Sequence, residues 1–181
     1  MKILITGGKG QLGTEVSKCF ERGYTELGTP KILKSDNEVF VVDIDELDIS
    51  DITEVISLFE KEKYNAVINC AAYTNVDGCE TNRDDAFKVN AVGPRNLAIA
   101  CEKIGAKLIH ISTDYVFPGD GFRPYSECDI PAPKSEYGRT KCLGEQYVKE
   151  FCSRYFIVRT AWLYGYYGKN FVKTIINANI S

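Results

Sequence analysis

The fold of this chain is decided by the stretch Ile3-Leu4-Ile5-Thr6-Gly7-Gly8-Lys9-Gly10-Gln11-Leu12-Gly13. Its first part is a short apolar run, which predicts a buried strand. The segment Gln11–Arg22 that follows has a helical pattern. Between the two, glycines at Gly7, Gly10 and Gly13 permit a tight turn and let the helix pack closely on the strand. A strand, a glycine turn and a helix in this order are typical of the first part of a βαβ unit.

The same glycines predict a dinucleotide site. Backbone N–H groups at such a turn can approach a pyrophosphate closely, so NADH or NADPH is the expected cofactor. Asp43, at the end of the second predicted strand, is a candidate acceptor for the adenosine ribose hydroxyls. It lies 30 positions after Gly13, further than the usual spacing of about 20, and the polar stretch Gly23–Asn37 accounts for the excess. The alternatives are a glycine turn that binds nothing and an ordinary acid at a strand end.

The choice between the two cofactors stays open. Asp43 favours NADH through the ribose hydroxyls, whereas Lys9 can offset the 2′-phosphate of NADPH.

Apolar, β-branched runs alternate with amphipathic segments along the chain. The predicted strands are Lys2–Thr6, Val39–Asp43, Ala66–Ala71, Lys107–Ser112 and Phe156–Ala161. The predicted helices are Gln11–Arg22, Ile52–Lys61, Val92–Ile104, Ser135–Phe151 and Gly168–Asn179. Near-continuous apolar strands indicate a parallel sheet buried on both faces. The alternation therefore predicts a doubly wound, Rossmann-like α/β fold, and we expect residues 1–181 to form one NAD(P)-binding domain.

Composition narrows the function classes. Hydrophobic residues make up 44% and charged residues 26% of the 181 residues, a balance typical of one globular domain. The net charge of −3 has the wrong sign for a nucleic-acid surface, so no nucleic-acid partner is expected. No apolar run approaches the roughly 20 residues that span a membrane, and the start is typical of a buried strand rather than a signal peptide. We therefore expect a cytoplasmic protein without membrane association.

The chain has seven cysteines and a single histidine, His110. No two cysteines form a CxxC pair, whereas structural zinc sites need closely spaced ligands. We expect free thiols in a reducing compartment and no metal site.

Two polar segments carry groups suited to proton transfer. The segment Ser112-Thr113-Asp114-Tyr115 ends the fourth predicted strand, and ligands bind beyond the carboxyl ends of parallel strands. Tyr137 and Lys141 are four residues apart, so they share one face of a helix. A lysine ammonium beside a phenol favours the phenolate and lowers the pKa of the tyrosine. Beside a nucleotide cofactor, this tyrosine is a candidate proton donor to a carbonyl. The alternatives are a solvated helix pair and strand-end hydroxyls that cap a turn.

Two further residues each have two interpretations. Asn90, at the start of the predicted helix Val92–Ile104, either kinks that helix or orders a water. Trp162, at the end of the last strand, is either part of the core or a surface on which a substrate ring packs. The segment Phe117–Ser135 holds four of the six prolines, and a loop of this length is expected to be functional or mobile.

Four longer strings are more specific. They are Asn69-Cys70-Ala71-Ala72-Tyr73-Thr74-Asn75-Val76-Asp77, Ser112-Thr113-Asp114-Tyr115-Val116-Phe117-Pro118-Gly119, Tyr137-Gly138-Arg139-Thr140-Lys141 and Arg159-Thr160-Ala161-Trp162-Leu163-Tyr164-Gly165. In this order they resemble the extended short-chain dehydrogenase/reductase family, and within it the dTDP-4-dehydrorhamnose reductases. The resemblance covers the whole chain, and the second and fourth strings are fairly diagnostic of that branch.

The resemblance implies NADH- or NADPH-dependent reduction of the 4-keto group of dTDP-4-dehydro-L-rhamnose to dTDP-L-rhamnose, with the dTDP-linked deoxysugar as partner. In the family pattern Tyr137 protonates the forming alkoxide, Lys141 binds the nicotinamide ribose and tunes Tyr137, and Thr113 hydrogen-bonds the substrate oxygen. Asp114 and Trp162 fall on substrate-contact positions. The implied cofactor positions are Gly10, Gln11, Leu12, Asp43, Asp48, Ile49, Ala72, Tyr73 and Thr74. A homodimer is left open.

The chain departs from the family pattern in two ways. Tyr73 stands where the family usually has histidine, which is expected to alter a contact without removing the site. Members of the family are also longer, so we expect the C-terminal substrate lobe to be missing from this chain. Two other functions stay open: reduction of another nucleotide-linked 4-ketosugar, and a non-catalytic NAD(P)-binding regulatory subunit of the same fold.

Overall fold

The centre of the fold is a parallel sheet of five strands, in a computed structural model that describes residues 1–178. The strands are β1 (Lys2–Thr6), β2 (Glu38–Val42), β3 (Ala66–Asn69), β4 (Lys107–Thr113) and β5 (Tyr155–Thr160). Their order in the sheet is β2-β1-β3-β4-β5, and every neighbouring pair is parallel. All five predicted strands and the doubly wound, Rossmann-like fold are confirmed, with small shifts of the strand boundaries.

Within the described residues, seven α-helices connect or follow the strands. They are α1 (Gln11–Arg22), α2 (Ile52–Glu62), α3 (Val76–Thr81), α4 (Arg83–Phe87), α5 (Gly93–Ile104), α6 (Glu136–Phe151) and α7 (Phe171–Ala178). The five predicted helices are present, although the last begins at Phe171 rather than Gly168, and Asn179 lies outside the described residues. The short helices α3 and α4, and the π-helical turn Lys88–Val92 that leads into α5, were not predicted.

Local capping fixes several helix ends. Asp51 accepts hydrogen bonds from the backbone N–H groups of Thr53 and Glu54 at the start of α2. Ser135 accepts one from Gly138 N at the start of α6. Gly105 ends α5 in the left-handed region, with φ of 72°, a conformation that glycine adopts readily at a helix C-terminus.

One core joins the sheet to the helices on one of its faces. Leu4, Val67 and Leu108, from three adjacent strands, are fully buried against this layer. The helices contribute Val55 and Phe59 from α2, Leu97 and Cys101 from α5, and Val148 from α6. Helix α1 packs on β1 and β2. This packing holds the strands in register and leaves their carboxyl ends free to form a site.

Strand β5 forms an edge of the sheet and is only partly covered. Ile157 packs on the core, but its neighbours Phe156 and Val158 are 60% and 45% exposed. Helix α7, which follows β5 in the chain, has no buried residue among those described. One face of β5 is therefore an exposed apolar surface.

Within residues 1–178, no helix is both long enough and apolar enough to cross a membrane. The same part of the chain contains no group of three or more His, Cys, Asp or Glu residues arranged to hold a metal ion.

Candidate active site

A cleft with two adjoining cavities lies at the carboxyl ends of the strands. The first cavity, of about 330 Å³, lies between the glycine turn and the end of β2. The second, of about 410 Å³, lies at the ends of β4 and β5. Gly10, Cys70 and Ala72 line both cavities. The two cavities therefore meet at the glycine turn.

The turn between β1 and α1 needs its glycines. Gly7 has φ of +68°, and a Cβ there would lie 2.6 Å from Ala71 N. A Cβ on Gly13 would lie 2.2 Å from Gly7 O. Gly7 and Gly10 line the first cavity, whereas Gly13 lines neither, so Gly13 serves the packing of α1 on the turn.

The N-terminus of α1 is open towards the cleft. Gly10 is its N-cap residue and provides no side-chain hydrogen bond, and no acidic residue lies in the first turn. Gln11 and Leu12, the first residues of the helix, line the second cavity beside Gly10. An uncapped helix N-terminus attracts anions through its free N–H groups and the helix dipole. This end of α1 can therefore hold a phosphate.

Asp43 follows β2 directly and lines the first cavity. Its Oδ2 accepts a hydrogen bond from Lys9 N at 2.8 Å, and its Oδ1 accepts one from Ile44 N at 2.9 Å. These two bonds fix the carboxylate beside the glycine turn, where the sequence placed a ribose acceptor. The remaining lone pairs can accept further hydrogen bonds.

Thr113, Tyr137 and Lys141 all line the second cavity. Thr113 is the last residue of β4, and its Oγ1 donates to Asp114 Oδ1 at 3.0 Å. Tyr137 and Lys141 lie one turn apart near the start of α6. The structure thus brings together the three residues that the sequence assigned to the chemistry.

The pKa of Tyr137 differs in direction from the sequence prediction. Burial raises the pKa of the Tyr137 phenol, and a hydrogen bond with Thr113 offsets only part of that rise. Burial also lowers the pKa of Lys141 to about 8, while Glu145 and Cys70 act in the opposite direction. The Lys141 ammonium donates to Ile111 O on β4 at 2.6 Å. The Tyr137 pKa thus moves up rather than down, because burial is the largest cause of its shift and the charged group that contributes most is not Lys141.

Asn90 connects the wall of the first cavity to α6. Its Oδ1 accepts from Tyr73 N at 2.9 Å, and its Nδ2 donates to Tyr73 O at 3.0 Å. The same Nδ2 lies 3.3 Å from Thr140 Oγ1, beside Lys141 on α6. Asn90 is buried inside the π-helical turn Lys88–Val92. These contacts support the structural interpretation of Asn90, as a change in helix geometry and a link between elements.

Trp162 lies at the open side of the second cavity. It is 66% exposed, which excludes a place in the core, and it lines the second cavity. Its φ of 51° is unusual for a bulky residue. The ring packs edge-on against Phe171 at 5.2 Å between centroids, and the next carbonyl, Leu163 O, accepts from Gln11 Nε2 at 3.1 Å. The segment after β5 is thus attached to α1 beside the cleft.

The family model of the RmlD substrate binding domain matches residues 1–180. The chain belongs to this family. Its relatives include the dTDP-4-dehydrorhamnose reductase of Streptomyces griseus, 42% identical over 96% of this chain and 53% of the relative.

Two solved structures of the same family share the fold. A dTDP-4-dehydrorhamnose reductase from Clostridium acetobutylicum is 48% identical, with a TM-score of 0.90 over 99% of this chain and 60% of that one. The reductase from Bacillus anthracis, solved in complex with NADP, is 43% identical, with a TM-score of 0.87 over 99% of this chain and 59% of that one. The chain therefore spans little more than half the length of these relatives.

The positions implied by family resemblance all lie on the cleft. Asp48, Ile49, Ala72 and Tyr73 line the first cavity, and Tyr73 does so in the place of the usual histidine. The second cavity is lined by Gln11, Leu12, Ala72, Thr74, Asp114 and Trp162, together with Thr113, Tyr137 and Lys141. Sequence reasoning missed Cys70, which lines both cavities, and Lys169, which lines the second. Cys70 directly follows β3, and this position at a strand end was a usable signal.

Proposed function

We propose that the cleft binds NADH or NADPH, with the adenosine part in the first cavity and the nicotinamide part in the second. The shape fits such a group, because the cavities join at Gly10 and the uncapped end of α1 lies at that junction. The N–H groups of this end would hold the pyrophosphate. Asp43 would accept from the adenosine ribose, and Lys141 would face the nicotinamide ribose.

We further propose that the reaction is reduction of the 4-keto group of dTDP-4-dehydro-L-rhamnose to dTDP-L-rhamnose. One observation carries this proposal: Thr113, Tyr137 and Lys141 line the cavity that adjoins the glycine turn. Membership of a family that includes named dTDP-4-dehydrorhamnose reductases supports the choice of substrate. Trp162 and Asp114 stand at the same cavity, where a sugar nucleotide would contact the protein.

The bound cofactor would supply the hydride, and side chains of this chain would donate the proton and stabilise the charge that remains. Because burial raises the pKa of Tyr137, its phenol stays protonated at neutral pH and can act as general acid to the forming alkoxide. Thr113 would hydrogen-bond the same oxygen and hold it in line with the phenol. Lys141 has a pKa of about 8, so near pH 7 its ammonium would stabilise the tyrosinate that remains.

We infer that the sugar nucleotide needs a second lobe for full binding. The matched relatives are nearly twice as long as the matched region, since this chain covers 53% to 60% of their length. The second cavity is open on the side of Trp162, which is itself 66% exposed. Loss of substrate positioning can cost many orders of magnitude in rate. We therefore expect this chain to bind cofactor but to show negligible turnover alone.

Reduction of another nucleotide-linked 4-ketosugar is the second candidate. The open side of the second cavity favours it, because the residues at substrate positions in this chain contact the sugar nucleotide from one side only. The identity of the sugar would then depend on the second lobe.

Isothermal titration with NADH and NADPH tests the cofactor proposal on this chain. We expect saturable binding of at least one of them, and a large loss of affinity for Gly10→Val, because that side chain would block the approach of the pyrophosphate. Gly121→Val, in the exposed loop after β4, is the matched control and should bind normally. Absence of binding to either dinucleotide would contradict the proposal.

A chimera tests the reaction. This chain would be joined to the part of the Clostridium acetobutylicum reductase that lies beyond the matched region. We expect cofactor oxidation with dTDP-4-dehydro-L-rhamnose, and none with this chain alone. Faster turnover of a different nucleotide 4-ketosugar would favour the second candidate.

A further inference from the structure

Lys169 is a cation at the second cavity to which the proposed reaction assigns no role. It is exposed and lines the cavity on the same side as Trp162. The charged residues among the described lining residues are Asp114, Lys141 and Lys169. Lys141 is buried, and its ammonium donates to Ile111 O at 2.6 Å. Within the described lining of this cavity, Lys169 is therefore the one exposed cation.

The backbone on both sides of Lys169 is fixed. Gly168 has φ of +68°, and a Cβ there would lie 3.1 Å from Gln11 Cβ, so Gly168 packs on the first residue of α1. On the other side, Asn170 Nδ2 donates to Gly165 O at 3.0 Å and closes the loop between them. A side chain that projects from an ordered loop gives up less conformational freedom when a ligand binds. Lys169 is thus prepared to bind an anion at this cavity.

Two pyrophosphates would enter the cleft in the proposed reaction. One belongs to the cofactor, and the free N–H groups at the start of α1 suit it. The other belongs to the sugar nucleotide and is attached at C1, across the sugar ring from the C4 carbonyl. With C4 at Thr113 and Tyr137, C1 points towards the open side of the cavity, where Trp162 and Lys169 lie. Lysine binds phosphate groups as a compact point charge.

We propose that Lys169 binds the pyrophosphate of the sugar nucleotide. This inference rests on the proposed reduction of a nucleotide-linked 4-ketosugar. The pyrophosphate keeps its charge throughout that reaction, so its ion pair with Lys169 is equally strong in the ground state and in the transition state. An interaction of this kind lowers KM and leaves kcat unchanged. Lys169 is therefore a substrate-binding residue that takes no part in the transfer of hydride or proton.

The first test titrates dTDP into this chain in the presence of excess NADH or NADPH and follows the NMR shifts of the backbone amides. Lys169→Met should weaken dTDP binding by about tenfold, the scale of one lost hydrogen bond to a charged group. Lys169→Arg keeps the charge and should bind dTDP with nearly the wild-type affinity. Thymidine has no phosphate, so Lys169→Met should not change its affinity.

The second test measures kinetics in the active chimera. Lys169→Met should raise KM for the sugar nucleotide by about tenfold and leave kcat nearly unchanged. Added salt should raise KM more for the parent than for this variant, because salt screens the charge that the variant lacks. Lys149→Met is the matched control, since Lys149 is an exposed lysine that lines neither cavity, and it should change neither constant.

The outcomes separate this inference from the proposed reaction. Unchanged binding of dTDP by Lys169→Met, an equal loss of thymidine binding, or no response of this chain to dTDP would each overturn the inference. An equal loss of affinity for NADH or NADPH would also overturn it, because the lysine would then serve the cofactor. A chimera that reduces no 4-ketosugar contradicts the proposed reaction, while the dTDP titration of this chain still decides the role of Lys169.

Discussion

Lys141 is a charged residue in a place that disfavours charge. It is 2% exposed, and burial lowers its pKa from 10.5 to about 8. Its ammonium has a hydrogen bond to Ile111 O, and Glu145 offsets part of the cost of burial. Groups with strongly shifted pKa values are concentrated at functional sites. The fold therefore tolerates a destabilising lysine at the position where the proposed chemistry needs one.

We predict that Lys141→Met stabilises the fold at pH 7. The folded state binds this proton less tightly than the unfolded chain does, so wild-type stability rises with pH between about 8 and 10.5. Below pH 8 the penalty is fully present, and it is on the order of 3 kcal/mol. The gain from Met should thus be largest at pH 7 and disappear above pH 10.5. Urea unfolding at pH 7 and pH 10 measures it.

Lys149→Met is the control, because Lys149 is an exposed residue of the same helix. It should change the free energy of unfolding little at either pH. A Lys141→Met variant that is less stable than wild type at pH 7 would show that the bond to Ile111 O outweighs the cost of burial.

Tyr137→Phe tests the proposed proton donor in the active chimera. The ring is kept and only the acidic proton is lost, so kcat should fall by about 10² to 10⁴, while the dissociation constant of the cofactor changes little. Tyr115→Phe is the matched control, because Tyr115 lines the same cavity and packs edge-on against Tyr137. A Tyr137→Phe enzyme with most of its kcat would mean that another group or water donates the proton.

At the scale of elements, α6 approaches the π-helical turn Lys88–Val92 closely. A Cβ on Gly144 would lie 2.3 Å from Asn90 O. The same turn carries the Asn90 amide that holds the backbone of Tyr73. The contact between Gly144 and Asn90 therefore positions two parts of the cleft. One is helix α6, which carries Tyr137 and Lys141, and the other is the wall of the first cavity.

We predict that Gly144→Ala destabilises the protein by about 1 to 3 kcal/mol, the usual cost of overpacking. In an open helix position the same change would be stabilising by nearly 1 kcal/mol, so the sign of the effect is informative. Cofactor affinity should also fall, because a displaced Asn90 shifts Tyr73. Chemical denaturation and isothermal titration measure the two effects.

Gln146→Ala, on the exposed side of α6, is the control and should alter neither quantity. A Gly144→Ala protein of unchanged or higher stability would show that the π-helical turn can move away from α6.

The elements that sequence predicted well are those with strong periodicity. The strands are apolar runs, and the long helices have clear apolar stripes or caps, such as Val55 and Phe59 on α2. The short helices α3 and α4 lie in a segment rich in Asn, Asp and Gly, residues that favour turns. Burial of Cys79 and Ala86 against the rest of the fold overrides that local preference. Helices α3 and α4 therefore could not be predicted without knowledge of this tertiary packing.

The sequence predicted those site residues that lie at the ends of strands. Thr113 and Asp43 end or follow strands, and parallel strands bring such positions to one edge of the sheet. The contacts Lys9–Asp45 and Asn90–Tyr73 join residues 36 and 17 positions apart through loops. No periodic pattern encodes contacts of that kind, and the pKa rise of Tyr137 depends on burial that the sequence does not display.

At the scale of the whole molecule, the face of β5 that carries Phe156 and Val158 is an exposed apolar surface. Phe156 and Val158 lie on an edge strand, and an apolar edge strand promotes association with other chains. In the longer relatives, polypeptide beyond the matched region is available to cover such a surface. We therefore expect this chain to self-associate at high concentration when it is studied alone.

The double variant Phe156→Ser and Val158→Thr should reduce that self-association. Phe156 is 60% and Val158 45% exposed, so the melting temperature should change little while the monomer fraction rises. Sedimentation at increasing protein concentration measures the effect, and Leu27→Ser, at another exposed apolar residue, is the control. Equal self-association of the double variant and the parent would assign the association to a different surface.

The position of Trp162 has an optical consequence. It is the single tryptophan of the chain, and it stands at the cavity where the nicotinamide is proposed to bind. Tryptophan emission overlaps the absorption of reduced nicotinamide, so excitation energy would pass from one to the other when both are in place. The tryptophan fluorescence of the protein therefore originates at the proposed substrate wall, and its quenching would follow occupation of the cleft without any added label.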